Sequence, residues 1–160
     1  MDNKNIPLLS FWPKIFDEII IQKKIIEYRR NFPKNCDFAY MYISKPIKAI
    51  CGIIYFNKKH NLQDWIRRYN NDEIILKRIQ KYSNSYRYAM EIKAVQKIKP
   101  ISLKLLQDNF PKFRAPQSYI LLNNYPEIWS FIEDNTIFVD EKIINSLDNI
   151  YPEHICKELN

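Results

Sequence analysis

A chain of 160 residues with a single glycine, Gly52, has little of the backbone freedom on which many folds draw. Glycine alone enters left-handed conformations without steric penalty, so loops that need it must be few. Glycine-rich phosphate cradles are excluded: neither a Walker loop nor a dinucleotide-binding fingerprint can be written in this sequence. Turns must come from asparagine and proline instead. The pairs Asn70-Asn71 and Asn123-Asn124, with Pro33, Pro46, Pro100 and Pro111, divide the chain into short elements.

At 46% hydrophobic residues, a chain of this length can bury one sizeable core. Cys36, Cys51 and Cys156 are odd in number and far apart, and His60 and His154 stand isolated. No pair has metal-ligand spacing, so inert thiols in a reducing cytosol are expected rather than a zinc site, and no cofactor is implied. The opening residues 1–5 read as no signal peptide, and no apolar run approaches the roughly 18 residues of a membrane span. The expectation is a soluble, cytoplasmic protein with no membrane partner and an undetermined oligomeric state.

Charge is distributed unevenly. Residues 1–120 hold 23 Lys/Arg against 10 Asp/Glu, whereas residues 121–160 hold 2 against 8, within a formal net charge of +7. A basic body suits a polyanion, because each phosphate neutralised by Lys or Arg releases condensed counterions. The abundance of Ile, Asn and Lys fits equally well with a lysine-rich background composition.

Element patterns follow from hydrophobic periodicity. Ile6 to Leu9 reads as a short strand that Pro7 would confine to a sheet edge. Ser10 can cap a helix whose Trp12, Ile15, Phe16, Ile19 and Ile20 share one face as core. Lys24 to Arg30, Phe38 to Ser44 and Ile47 to Phe56 are expected strands, the last two apolar on both faces. Residues 61–83 suggest one or two inserted helices. Tyr86 to Ala94 alternates strictly, with Tyr86, Tyr88, Met90 and Ile92 on one face and Arg87, Glu91 and Lys93 on the other. Ser102 can cap a helix over Leu103, Leu105 and Leu106; Gln117 to Leu122 returns as strand and Tyr125 to Ile132 as helix. Asp140 could open a last acidic helix over Ile143, Ile144 and Leu147.

Strand, helix, then Gln22-Lys23-Lys24-Ile25-Ile26-Glu27-Tyr28-Arg29 resembles the Gly-x-Lys-x-x-Glu-x-Arg signature of ASCH domains, members of the PUA-like superfamily. Tyr42 to Gly52 resembles the family's paired strands. Lys99-Pro100-Ile101-Ser102-Leu103, followed by Ala115-Pro116-Gln117-Ser118-Tyr119, resembles its closing segment. The chain departs from the signature at Gln22, where glycine is usual. The resemblance implies an α+β fold, a PUA-like mixed β-barrel with flanking helices and a small helical insertion. It places an ASCH-like domain over residues 1–134 and leaves residues 135–160 as an acidic extension, expected to be helical and packed on the domain.

The resemblance also implies a cleft between the first helix and the barrel that accepts RNA or a nucleobase. Arg29 as a planar fork and Lys24 as a point charge would hold phosphate, and Glu27 would orient Arg29 or accept from a base edge. Arg30, Trp12, Ser44, Lys45, Tyr86, Gln117 and Ser118 complete the candidate set, with Trp65 a further stacking candidate. The plain alternatives are a same-face Glu27–Arg29 ion pair that stiffens the strand, aromatics that serve the core, and a side-chain-capped turn at Gln117-Ser118.

Two functions remain open. One is a nucleic-acid-binding module that takes RNA, favoured over DNA, or a modified nucleobase, with a regulatory role open to it. The other is a hydrolase of a modified nucleoside or a ribonuclease, with Lys24 and Glu27 as its acid–base pair. Some ASCH relatives are amidohydrolases that pair a lysine with a threonine on this strand, and Glu27 stands where that threonine is expected. A contact surface for another protein, on the acidic tail, is a third possibility.

Overall fold

The computed structural model describes residues 3–159, so Met1, Asp2 and Asn160, at the ends of the expected domain and extension, lie outside it. Its centre is one curled sheet. The strands are β1 (Pro7–Phe11), β2 (Ile26–Arg29), β3 (Phe38–Ile43), β4 (Ala49–Asn61), β5 (Tyr88–Ser102), β6 (Tyr119–Leu121) and β7 (Ile143–Ile144). Their order is β2-β5-β4-β3-β1-β6. β1 and β3 run parallel and the other pairs antiparallel, and β7 joins the edge of β5 beyond the stretch that β2 occupies. The sheet is a half-barrel: β2 and β6 lie at the two ends of the strand path.

Helices cover the sheet on several sides: α1 (Pro13–Ile20), the inserted α2 (Leu62–Arg68) and α3 (Glu73–Ser83) between β4 and β5, α4 (Leu103–Asn109) and α5 (Pro126–Asp134). α1 packs Ile15, Phe16, Ile19 and Ile20 against Leu9, Met41 and Val95. α4 and α5 cover a second cluster around Leu8, Ile50, Ile98 and Leu106. α2 and α3 enclose a third around Ile26, Trp65 and Ile79, which Ile155 and Cys156 complete.

The single glycine sits in β4, not in a turn. A Cβ at Gly52 would lie 3.1 Å from the carbonyl oxygen of Gln96, so a side chain here would press on β5, and 3.5 Å from the ring of Phe16, an ordinary contact with α1. Left-handed turns therefore fall on other residues: Gln22, Asn35, Lys48, Asn149 and Cys156 all have φ between 48° and 62°. Gln22 is the informative case. It follows the last turn of α1, where its N–H donates to the Ile19 carbonyl and that of Lys23 to the Glu18 carbonyl, the pattern of a Schellman ending. The glycine of the resembling signature would sit here without strain. In this chain the Gln22 side chain instead donates to the Ile144 carbonyl and to Oδ1 of Asn145, tying α1 to β7.

Several expectations are corrected. β1 is interior, between β3 and β6, and Pro7 is accommodated because it begins the strand. Ser10 belongs to β1, so α1 starts after Trp12 with Pro13 in its first turn and no side-chain cap. Trp12 is 73% exposed and takes no part in the core stripe. Tyr86 precedes β5, and Glu91, set by alternation on the face of Arg87 and Lys93, is buried although Lys93 is exposed, because Asn57, His60 and Tyr151 pack on it. Ser102 does cap α4, accepting from the Leu105 N–H at 3.0 Å.

The last acidic helix is absent from the described residues. Ile143 and Ile144 pair with Val95 and Ala94 as strand, and Phe138 bridges Ile98. Exposed edge groups of β5 offer partners that an isolated helix would lack, and tertiary pairing overrides the weak helical spacing. Residues 135–159 thus supply a strand and the buried Ile150, Ile155 and Cys156. Deleting residues 135–160 is expected to lower the unfolding temperature markedly, since Ile150 and Ile155 each remove about 1.5–3 kcal/mol of apolar surface from water; thermal denaturation followed by circular dichroism measures it.

Candidate functional site

β2 is a short strand on which charge is spaced to act. Glu27 and Arg29, two apart, share a face, and Glu27 is buried at 5% exposure. A buried carboxylate needs partners, and it has two cations. Arg29 Nε donates to Glu27 Oε2 at 2.9 Å, and Lys24 Nζ lies 3.3 Å from Glu27 Oε1. Arg29 reaches further. Its Nη2 donates to the Ser10 carbonyl in β1 at 2.7 Å and its Nη1 to the Ser118 carbonyl, just before β6, at 3.3 Å. The guanidinium also lies 4.8 Å from the centre of the Phe11 ring. One side chain therefore bridges the two ends of the open sheet. Most of its donors are committed to this bridge, so Arg29 builds the site rather than offering a fork to phosphate.

Beside this seam lies a cavity of about 680 Å³. β2 and the turn before it supply Lys23, Lys24, Glu27, Tyr28 and Arg29; α1 and the residue before it supply Trp12, Lys14 and Glu18; α3 and its following loop supply Lys81, Tyr82 and Tyr86; and the C-terminal segment supplies His154 and Lys157. Six Lys or Arg side chains line it against two carboxylates, Glu18 and Glu27. Lys24 stands 5.1 Å from the Tyr28 ring centre.

Of the residues singled out in the sequence, Lys24, Glu27, Arg29, Trp12, Tyr86 and Gln117 meet at this cavity. Ser118 contributes through its carbonyl on Arg29. Arg30, Ser44 and Lys45 do not line it: Arg30 is exposed beyond the end of β2, and Ser44 and Lys45 follow β3, where the Ser44 N–H donates to the Phe11 carbonyl. Trp65 is 1% exposed and belongs to the core.

Sequence reading missed the far wall. The Arg78 guanidinium donates to the carbonyls of Glu153 and Ile155, the Cys156 N–H donates to the Tyr28 hydroxyl at 2.8 Å, and Lys81 pairs with Glu158. These contacts hold His154 and Lys157 at the cavity, more than 120 positions from Lys24, a separation no local pattern reveals. Burial raises the Tyr28 hydroxyl far above its usual range and pushes the Cys156 thiol up to about 12, so neither ionises near neutrality. Among the described residues no three His, Cys, Asp or Glu side chains converge as metal ligands.

A second polar cluster was also missed. Glu91 accepts from Asn57 Nδ2 and from the Tyr151 hydroxyl, each at 2.8 Å, and its Oε2 lies 2.8 Å from His60 Nε2. His60 is therefore not isolated. Burial opposes the charged form of Glu91, but hydrogen bonds from His60, Tyr151 and Asn57 outweigh it and hold the carboxyl below its usual value. Tyr151 belongs to the C-terminal segment, so this carboxylate also pins the far wall.

A curled mixed half-barrel, with a helical insertion between its two longest strands and a charged strand at its seam, defines an α+β domain. No family model matches the sequence. A curated relative, the ASCH domain-containing ribonuclease of Zymomonas mobilis subsp. mobilis, is 26% identical over 120 residues, covering 69% of this chain and 80% of the relative. The crystal structure of ASCH from Zymomonas mobilis matches with a TM-score of 0.61 at 24% identity, over 84% of this chain and 98% of that one. A mutant of the same protein matches with a TM-score of 0.61 at 22% identity, over 85% and 99%. In fold and in sequence the chain is similar to these ASCH domain proteins. No helix among the described residues is long and apolar enough to cross a membrane.

Glu91 makes stability pH-dependent in a definite direction. Its carboxyl titrates lower in the folded than in the unfolded chain, so its contribution is complete above the unfolded value near 4.5 and is lost as pH falls through the folded value. Chemical denaturation at pH 7 and at pH 3 to 4 is expected to show Glu91→Ala costing about 2–4 kcal/mol at the higher pH and less at the lower, because three hydrogen bonds converge on the ionised group.

Proposed function

We propose that this protein is an RNA-binding module whose ligand enters the cavity beside Lys24, Glu27 and Arg29. One observation carries the reading: a cavity of about 680 Å³, roomy enough for a nucleotide, lined by six cationic side chains, with the largely exposed Trp12 at its edge. Such a combination suits a nucleotide, since cations neutralise phosphate while an aromatic face stacks on any base. Lys24, with Lys14, Lys81 and Lys157, takes the phosphate role. Trp12 and Tyr86 take the stacking role, and the Gln117 amide can read a base edge. A relative named a ribonuclease supports RNA over DNA as the polymer.

The same relative favours a second reading, in which bound RNA is cleaved. Lys24 and Glu27 form an ammonium–carboxylate pair at 3.3 Å on the cavity wall, a geometry suited to moving a proton at a ribose hydroxyl. Cleavage would be read by incubating single-stranded RNA with the protein and with Lys24→Ala, the altered protein leaving the RNA intact.

Binding is tested by fluorescence anisotropy with a short labelled RNA. The association constant is expected to fall steeply as salt rises from about 50 to 200 mM. Trp12→Ala is expected to weaken binding by about 1–3 kcal/mol with an unchanged unfolding temperature, since Trp12 is exposed. Affinity indifferent to both salt and Trp12 would overturn the reading.

A further inference from the structure

A second cavity, of about 610 Å³, opens between the end of α4 and the start of α5, away from the seam. Its walls are apolar and aromatic, with Phe110, Phe113, Ile120, Tyr125 and Ile128; Tyr125 is 47% exposed. Lys112 and Arg114, both exposed, also line it. No acidic residue occurs from Asn109 to Pro126, although the chain beyond residue 120 is predominantly acidic. Arg114 Nη1 donates to the carbonyls of Pro111 and Phe113, which fixes the guanidinium on its loop, while its Nε and Nη2 make no hydrogen bond within the described residues.

An aromatic wall with adjoining cations is the chemistry that recognises a base joined to a phosphate. The groove also lies close to the first site along the chain. Arg114 lines this cavity and Gln117 the other, and three residues of chain span at most about 11 Å. The connecting segment is anchored at its far end, where the Ser118 carbonyl accepts from Arg29. Lys112, Arg114 and Gln117 are all exposed along it.

We propose that this groove is a second nucleotide subsite, and that single-stranded RNA runs from the seam cavity over the Lys112–Gln117 segment to place a further base against Tyr125. This deepens the RNA-binding reading and rests on it. A mononucleotide or dinucleotide fills the first cavity alone, whereas a longer strand occupies both, so length separates the two sites.

The test compares a labelled dinucleotide with a labelled single-stranded RNA of about ten nucleotides, within the range of site sizes that single-strand grooves accept. The unaltered protein is expected to bind the longer RNA more tightly. The double substitution Lys112→Ala with Arg114→Ala is expected to weaken the longer RNA about tenfold or more and to flatten its salt dependence, leaving the dinucleotide unchanged. Tyr125→Leu, which keeps apolar bulk but removes the ring, is expected to act in the same selective way. Equal losses on both RNAs would place these residues in the first site or the fold and overturn the proposal. No loss on either would overturn it too, and would leave the groove to an apolar peptide. Failure of the unaltered protein to bind either RNA would instead overturn the RNA-binding reading, and this inference with it.

Discussion

The fold depends on one side chain that joins what the backbone leaves open. Six strands curl in an order that begins at β2 and ends at β6, and Arg29 crosses the gap to the carbonyls of Ser10 and Ser118. A guanidinium is suited to this task because its planar donors reach several acceptors at once without titrating. Glu27 holds it in orientation, and Lys24 balances the charge of Glu27. Each ion is thus desolvated against a partner, the condition under which buried charge is tolerated. Closure by a side chain leaves a gap wide enough for a cavity, which a continuous backbone ladder would have filled.

The charged residues of β2 were legible in the sequence, since alternation alone sets Glu27 and Arg29 on one face. What Arg29 does there was not, because its acceptors are main-chain carbonyls 19 and 89 positions away. The same limit hid the Glu91 cluster. Alternation along Tyr86 to Ala94 groups Glu91 with Arg87 and Lys93, and Lys93 is exposed, but Asn57, His60 and Tyr151 converge on Glu91 and bury it. His60 and Glu91 are 31 residues apart and gave no local signal. In the C-terminal segment the spacing of Ile143, Ile144 and Leu147 fitted a helix; a free stretch of β5 edge, invisible in sequence, drew Ile143 and Ile144 into a strand. Short helices with strong starts, such as α4 after Ser102, were read correctly because their caps are local chemistry.

Scarcity of glycine ties these features together. Gly52 lies in β4 close to the Gln96 carbonyl, and the turn after α1 is made by Gln22, whose left-handed backbone carries a penalty of about 1–2 kcal/mol. Its side chain offsets that penalty by bonding to Ile144 and Asn145. A departure from the family signature is thereby coupled to the C-terminal segment, for the residue that replaces glycine is the one that anchors β7.

The far wall of the cavity is assembled from residues 150–159, which follow all the other lining residues in sequence, and this orders events in time. During synthesis, β1, α1, β2 and α3 emerge well before residues 150–159, so the ribosome releases a basic half-site long before the wall carrying His154 and Lys157 exists. A nascent chain stalled before residue 150 would present the cations of β2 and α1 without this enclosure. The cavity is in this sense a late-acquired feature, complete only after the segment that follows α5 has left the exit tunnel and docked.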